Sequence, residues 1–406
     1  MISIRIKVTA PFCIFVFFSA VLLAMSGCRK GDSGSADGAI KIGALFDLTG
    51  PTSDVGAPYA AGLRDFVDWR NAKGGINGRK LALLSGDYGY KVDRAEQLYT
   101  QHIQQGVIAF QGWGTGDTEA LRAKIRADKI PFMSASYSTN LLDMKEAPYN
   151  FLVGTSYSDQ AIIAIRWAID HWKASGKEGT PKVALLHHDS PFGQSPIADA
   201  KAFAGANGVA FTSLPMPRGA TELVAELGRV KQFGGNYVLI QNVSSPVAVL
   251  LKDARRQGLH QSMTFICLNW CAGELLLELA GDATEGLFGA MPFTPPSVPV
   301  PGHQELAKWL EKQGSTLTEK GVHYVQGWWT QAVMVAGIER AVESGKTLSG
   351  ESVRQALETM NNFDTQGVTT PITFSPTSHR GNDSMRLFQV KGGKWQQISD
   401  YIKAEP

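Results

Sequence analysis

From Ala39 onward, short apolar runs alternate with longer stretches whose apolar residues recur every three or four positions. "IKIGALF", "KLALLSGD", "VIAFQGW" and "IPFMSAS" read as strands. "YAAGLRDFVDWRNAKGG" reads as a helix, with Leu63, Phe66, Val67 and Trp69 on one face and Gly74-Gly75 as its stop. "RAEQLYTQHI" and "TEALRAKIRA" follow the same period. The rhythm restarts near Asp159, where "AIIAIRWAIDHW", "SPIADAKAFAGANG", "ELVAELGRVKQFG" and "PVAVLLKDARRQG" are helical. Between them lie the strand-like "KVALLHHD", "YVLIQN" and "MTFICLN". Strands alternating with helices predict βαβ units on parallel sheets. Two successive sets predict an α/β protein of two doubly wound lobes.

The segment "GAMPFTPPSVPVPGH" holds five prolines and breaks the pattern, so it reads as a crossing between lobes. Beyond it, "QELAKWLEKQG" and "YVQGWWTQAVMVAGIERAVESG" are expected to be helical. "PITFS" and "SMRLFQVKGGKWQQIS" are expected to be strands, the latter folded into a hairpin at "KGGK".

The N-terminus follows different rules. "MISIRIKVTAPFCIFVFFSAVLLAMSGC" has basic Arg5 and Lys7, then an apolar run shorter than the ~20 residues of a membrane span. It fits a secretory signal. Its end, "LLAMSGC", resembles a lipobox, with Met25 where leucine is usual. The resemblance implies cleavage before Cys28, lipid on that cysteine, and a membrane anchor; cleavage elsewhere, as a plain secreted protein, is the competing reading. Residues 1–28 are therefore taken as a lipoprotein signal ending at the acylated cysteine. The Gly- and Ser-rich 29–39 is taken as a flexible tether. Cys13 leaves with the signal. Cys267 and Cys271 remain; a disulfide between them stays open, and their spacing without a nearby histidine pair is a poor zinc signal.

Composition is that of a globular chain: 44% hydrophobic, 19% charged, net charge +2. No basic stripe interleaved with aromatics supports nucleic-acid binding. No G-x-S-x-G elbow or H-E-x-x-H pair is present. His187-His188-Asp189 is the one dense titratable cluster, and His187 falls in an apolar strand, where a structural role is favoured. The chain therefore offers no positioned nucleophile or metal set, and an enzyme is not expected.

Chemistry gathers instead at predicted strand ends, where open α/β sheets bind ligands. These ends read "FDLTGPTSDVG", "GDYGYK", "QGWGTGD", "SASYSTN", "HHDSPFG", "QNVSS" and "NWCAG". In "AFQGWGTGDTEALR", Asp117 or Thr118 is expected to cap a helix starting at Glu119. The glycines leave backbone N–H groups uncovered for a negative ligand group, with the Thr115 hydroxyl beside them and Trp113 as a flat wall. A tight turn with Trp113 in the core is the competing reading.

"GALFDLTGP…G…GLRDFVDWRNAKGGINGRKL", followed in order by "DSPFGQS", "LKDARRQGL" and "ATEGLFGAMPF", resembles the substrate-binding proteins of branched-chain amino acid type ABC transporters. The resemblance runs over roughly 40–401. It implies a type I periplasmic binding protein fold, two lobes joined by three crossovers near 154–159, 288–295 and 367–371, closing over a ligand. The lobes would be 40–156 with 293–368, and 157–292 with 369–406. It implies an exported protein on the periplasmic or cell-surface side that captures a small molecule for membrane permease subunits and needs no cofactor. A sensor of the same fold, signalling to a membrane partner, is the rival function.

By the same resemblance, Thr115, Ser136 and Ser138 match hydroxyls that hold a ligand carboxylate, and Trp113 and Phe192 match aromatic walls. Asn269 stands where amino-acid-binding members carry the glutamate that pairs with the ligand's ammonium. Neutral Asn269 lacks that charge. Val243 and Val55 stand near places of ligand-facing tyrosines. The altered set, with aromatics Phe46, Tyr88, Tyr90, Trp113, Tyr137, Phe192 and Trp270 and amides Gln241, Asn242 and Asn269, suits a neutral or carboxylate-bearing, partly apolar ligand such as an amide or aromatic acid. Asp47 or Asp189 would restore amino-acid binding if either supplied the charge. For each aromatic, packing in the core is the competing reading.

Overall fold

The computed structural model describes residues 38–404; the signal, Cys28 and most of the tether lie outside the described residues. The first run of elements is β1 (Ile40–Phe46), α1 (Ser53–Ala72), β2 (Leu81–Asp87), α2 (Val92–Gln104) and β3 (Ala109–Gly112). It continues with α3 (Thr115–Asp128), β4 (Phe132–Ser134) and β5 (Asn150–Phe151). These strands form a five-stranded, wholly parallel sheet in the order β2-β1-β3-β4-β5.

The second run begins with α4 (Tyr157–Ala174), β6 (Lys182–His188), α5 (Pro191–Gln194), α6 (Ile197–Ala206) and β7 (Ala210–Met216). Then come α7 (Val224–Phe233), β8 (Tyr237–Gln241), α8 (Ser244–Arg256), β9 (Thr264–Cys267), α9 (Glu274–Ala280) and β10 (Phe288–Met291). The chain next makes α10 (Gln304–Glu311), α11 (Leu317–Glu343) and α12 (Gly350–Leu357). It returns as β11 (Ser384–Lys391), β12 (Lys394–Gln397) and β13 (Ile402–Lys403). The second sheet runs β12-β11-β10-β9-β8-β6-β7, with β13 on β11. Its strands from β6 to β10 are parallel; β11, β12 and β13 are antiparallel additions.

Two lobes follow from this packing. Helices α10 to α12 lie with α1 in the apolar core of the first sheet, whereas β11 to β13 extend the second. The α1–α11 crossing is very close. A Cβ on Gly62 would stand 2.0 Å from the Tyr324 carbonyl oxygen, and one on Gly327 would stand 1.9 Å from that of Tyr59.

Several expectations need correction. The prediction of a helix starting at Glu119 is wrong: α3 starts at Thr115, with extended Gly114 before it and no side-chain cap. Asp117 instead accepts from the Tyr88 hydroxyl, and the Thr118 hydroxyl bonds back to the Gly114 carbonyl. "PITFS" is not a strand; only isolated bridges form there, Phe363 with Ile372 and Ser375 with Ser378. Phe288–Met291, read as part of a crossing, is a strand of the second sheet, and the proline-rich crossing begins after it. β7 carries Pro215 within it; as an edge strand it tolerates the missing N–H. The "KGGK" hairpin forms as expected, with Gly392 and Gly393 at φ 59° and 71°, the values a two-residue I′ turn requires.

Candidate functional site

In each parallel sheet the strand order reverses once, between β1 and β3 and between β6 and β8. The crevice beyond the strand ends at such a reversal is where side chains from several loops converge. The two crevices face each other here, and the lobes are closed. One small cavity of about 20 Å³ lies between them, lined by Thr52, Tyr90, Trp113, Gly114, Thr115, Ala135, Tyr157, Phe192, Val243 and Trp270. Across the gap, the rings of Trp113 and Trp270 are 4.9 Å apart and those of Tyr90 and His188 are 6.2 Å apart.

The polar end of the cavity is the start of α3. The Thr115 hydroxyl is 2.7 Å from that of Ser136, and Ser134 bonds Thr118 and the Ser136 N–H. Gly114 donates its N–H to the Tyr88 hydroxyl. A Cβ at Gly114 would meet Asp117 at 2.2 Å, so the bare backbone there is a packing requirement as well as an opening. The first-turn N–H groups and helix dipole favour an acceptor or anion beside the Thr115 hydroxyl. Asp117 lies beneath; burial lifts its carboxyl to about 7.

The remaining walls are aromatic. Trp113 donates its indole N–H to the Thr52 hydroxyl, which in turn donates to Asp47. Trp270 donates to the Tyr157 hydroxyl at 2.9 Å and packs against Tyr59, Tyr137 and His323. The Tyr59 and Tyr137 hydroxyls are buried without a partner. Tyr90 adopts φ 60°, an unusual conformation for a bulky residue, which holds its ring over the cavity.

Of the residues singled out from sequence as ligand-facing, Tyr90, Trp113, Thr115, Phe192 and Trp270 line this cavity together. Ser136 and Tyr137 stand directly behind them. Tyr88 is behind Gly114 rather than on the wall. The others sit elsewhere. Phe46 is in the core under the Arg64 guanidinium. Ser138 caps a short 3-10 turn and donates to Glu119. Gln241 donates to the Phe192 carbonyl, and Asn242 faces a separate mouth cavity beside His188 and Arg218. Asn269 is fixed behind Trp270: its N–H donates to Gln160, and its side-chain oxygen accepts from Gln326. Asp47 is consumed by Gly50 and Thr52. Cys267 and Cys271 are free, buried thiols. Sequence reasoning passed over Thr52, Ala135 and Tyr157 as wall residues; "GPTSD" and "GTSYSD" are hydroxyl-rich turns, the available signal.

The family model described as periplasmic binding protein matches residues 39–394. The chain belongs to the periplasmic binding protein family. Among solved structures, a branched-chain amino acid ABC transporter protein from Thermus thermophilus with bound valine is 30% identical, with a TM-score of 0.84, covering 90% of this chain and 96% of that one. A fatty acid ABC transporter substrate-binding protein from Thermomonospora curvata, 22% identical, shares the fold at a TM-score of 0.78, covering 92% and 94%. Leu/Ile/Val-binding protein homolog 2 of Brucella abortus (strain 2308) is 25% identical over 72% of this chain and 75% of its own. This is a type I periplasmic binding protein of the branched-chain amino acid ABC transporter type, a family of exported solute-binding proteins rather than enzymes.

Proposed function

We propose that this periplasmic binding protein captures a small organic ligand, an amide or an aromatic-acid-like compound in preference to a zwitterionic amino acid, and delivers it to an ABC permease. The observation that carries the reading is the cavity wall: hydroxyls, one bare helix start and aromatic rings, with no charged side chain among the lining residues. A carboxylate or carbonyl fits at Thr115 and the α3 N-terminus; the flat remainder fits between Trp113, Tyr157, Phe192 and Trp270. An ammonium in the same space would be desolvated without a partner, which costs several kcal/mol (roughly). The lobes, taken as 40–156 with 293–368 and 157–292 with 369–406, open to admit the ligand and close on it. Cys28 carries the lipid that holds the protein at the membrane beside its permease.

The test is a thermal-shift screen of the domain starting after Cys28. The panel contains benzoate, benzamide, aliphatic amides and the three branched amino acids, since the Thermus relative holds valine. A true ligand at 100 times its Kd stabilises by about 2.7 kcal/mol. Shifts with acids or amides and none with leucine, isoleucine or valine are expected. Shifts with those three alone would overturn the ligand class and leave the family untouched.

A further inference from the structure

Two carboxylates join the lobes at places that do not line the cavity. Asp54, in the first turn of α1, accepts a hydrogen bond at 2.7 Å from the N–H of Ser245, in the first turn of α8. Glu274, at the start of α9, accepts one at 2.7 Å from the N–H of Val322. Val322 follows Gly321, whose φ of 74° and ψ of 178° break the helical run of α11. The N–H of Val322 is therefore that of a fresh helix start, with no intrahelical acceptor of its own. A Cβ at Gly321 would lie 3.0 Å from the Glu274 carboxylate, so the break and the contact are fitted to each other.

The two contacts are reciprocal. In one, a carboxylate of the first lobe meets a helix start of the second; in the other, the roles are exchanged. A carboxyl oxygen at a helix N-terminus satisfies a free N–H of the first turn whether the group is ionised or neutral. Both partners of each bond belong to different lobes, so neither bond survives opening. Each contact is also tied to the cavity wall: Asp54 and Ser245 lie two residues beyond the lining Thr52 and Val243, and Glu274 follows Trp270 on the same turn.

We infer that Asp54 and Glu274 are positioning residues, a reciprocal pair of latches that set ligand affinity by holding the closed form without touching the ligand. The inference rests on capture by lobe closure. A ligand's apparent affinity scales with the population of the competent closed form, so removing a closed-state contact weakens binding even where the pocket is intact.

The experiment compares wild type with Asp54→Ala, Glu274→Ala, the double variant, and the conservative Asp54→Asn and Glu274→Gln. Small-angle scattering is recorded without ligand, and calorimetry and stopped-flow with benzamide, benzoate and valine as probes. Each alanine variant is expected to weaken a binding probe by about tenfold, carried mainly by faster dissociation. The amide variants, which keep an acceptor oxygen, are expected to fall between. Without ligand, the double variant is expected to scatter as a more extended particle than wild type, with the same unfolding midpoint. Variants that bind and scatter like wild type overturn the latches. If no probe binds, the ligand class proposed above fails, and the scattering comparison alone decides the latches: a more extended double variant supports them, and superimposable curves overturn them. A variant that unfolds is replaced in the comparison by its amide counterpart.

Discussion

At the scale of single residues, Thr115 is the side chain whose role is most sharply defined. Its hydroxyl shares a buried hydrogen bond with Ser136 and stands at the first turn of α3. Thr115→Val keeps the shape and removes the oxygen. Binding of any carboxylate or amide ligand is expected to weaken by about tenfold or more by calorimetry, because a hydrogen bond to a charged or polarised acceptor is lost in a dry site. Folding stability is expected to fall by only about 1 kcal/mol, the cost of leaving Ser136 without its partner. Equal affinity in wild type and variant would remove Thr115 from the site. Position 269 teaches a different lesson. The resemblance implied that neutral Asn269 faces the ligand where amino-acid-binding members carry a glutamate. The fold, however, ties its backbone N–H to Gln160 and its side-chain oxygen to Gln326, whose own side-chain oxygen accepts from His323 Nδ1 at 2.9 Å, all behind the Trp270 indole. No periodicity in the chain announces that run, since its members are 109 and 57 positions apart in sequence from Asn269.

At the scale of elements, the α1–α11 crossing is the least forgiving contact. Ridges of one helix normally pack into grooves of the other with axes 8–10 Å apart (about), set by the side chains between them. Here Gly62 and Gly327 put backbone on backbone. Gly62→Ala or Gly327→Ala is expected to cost roughly 1–3 kcal/mol or more, read as a lower midpoint in urea. Gly205→Ala, in α6, provides the contrast: nothing lies within 4 Å of its Cβ position, and the same exchange is expected to stabilise by about 0.5–1 kcal/mol. Equal effects at the three sites would refute the close crossing. In the sequence, Gly62 and Gly327 look like helix-weakening residues. Only the partner helix shows why neither position has room for a methyl group.

At the scale of the whole molecule, stability depends on groups that burial holds in their neutral form. His188, His303, His323 and His379 are pushed down to about 4. The unfolded chain protonates them near about 6.5, so their contribution is complete above that pH and is lost as pH falls toward 4. Asp117 and Glu274 work in the opposite sense. Burial raises both to about 7, so their contribution is complete below the ordinary carboxylate range and is lost as pH rises through 7. Four groups outweigh two on the acid side. The unfolding midpoint of the ligand-free domain is expected to rise from about pH 4.5 to about 6.5 and to decline slightly by about pH 8, followed by calorimetry. A midpoint that falls between about pH 4.5 and 6.5 would show that the histidines are solvated in the folded protein.

The alternation of short apolar runs with amphipathic ones determined the two α/β sets, because a strand and a helix each declare themselves through the period of their own apolar face. The loops at strand ends likewise carried Trp113, Thr115, Phe192 and Trp270 in local composition. What the sequence did not determine was how the two crevices meet. Tyr157 and Thr52 became walls, Asn242 and Ser138 went elsewhere, and Asn269 was turned behind an indole, through contacts between residues far apart in the chain. The same holds for β7 and for the start of α3. An edge position in the sheet admitted Pro215, and a bare Gly114 packed against Tyr88 and Asp117 moved the helix start to Thr115. Periodicity is a local property and survives in the chain; the facing of two lobes is a sum of long-range contacts, and only the folded protein decides it.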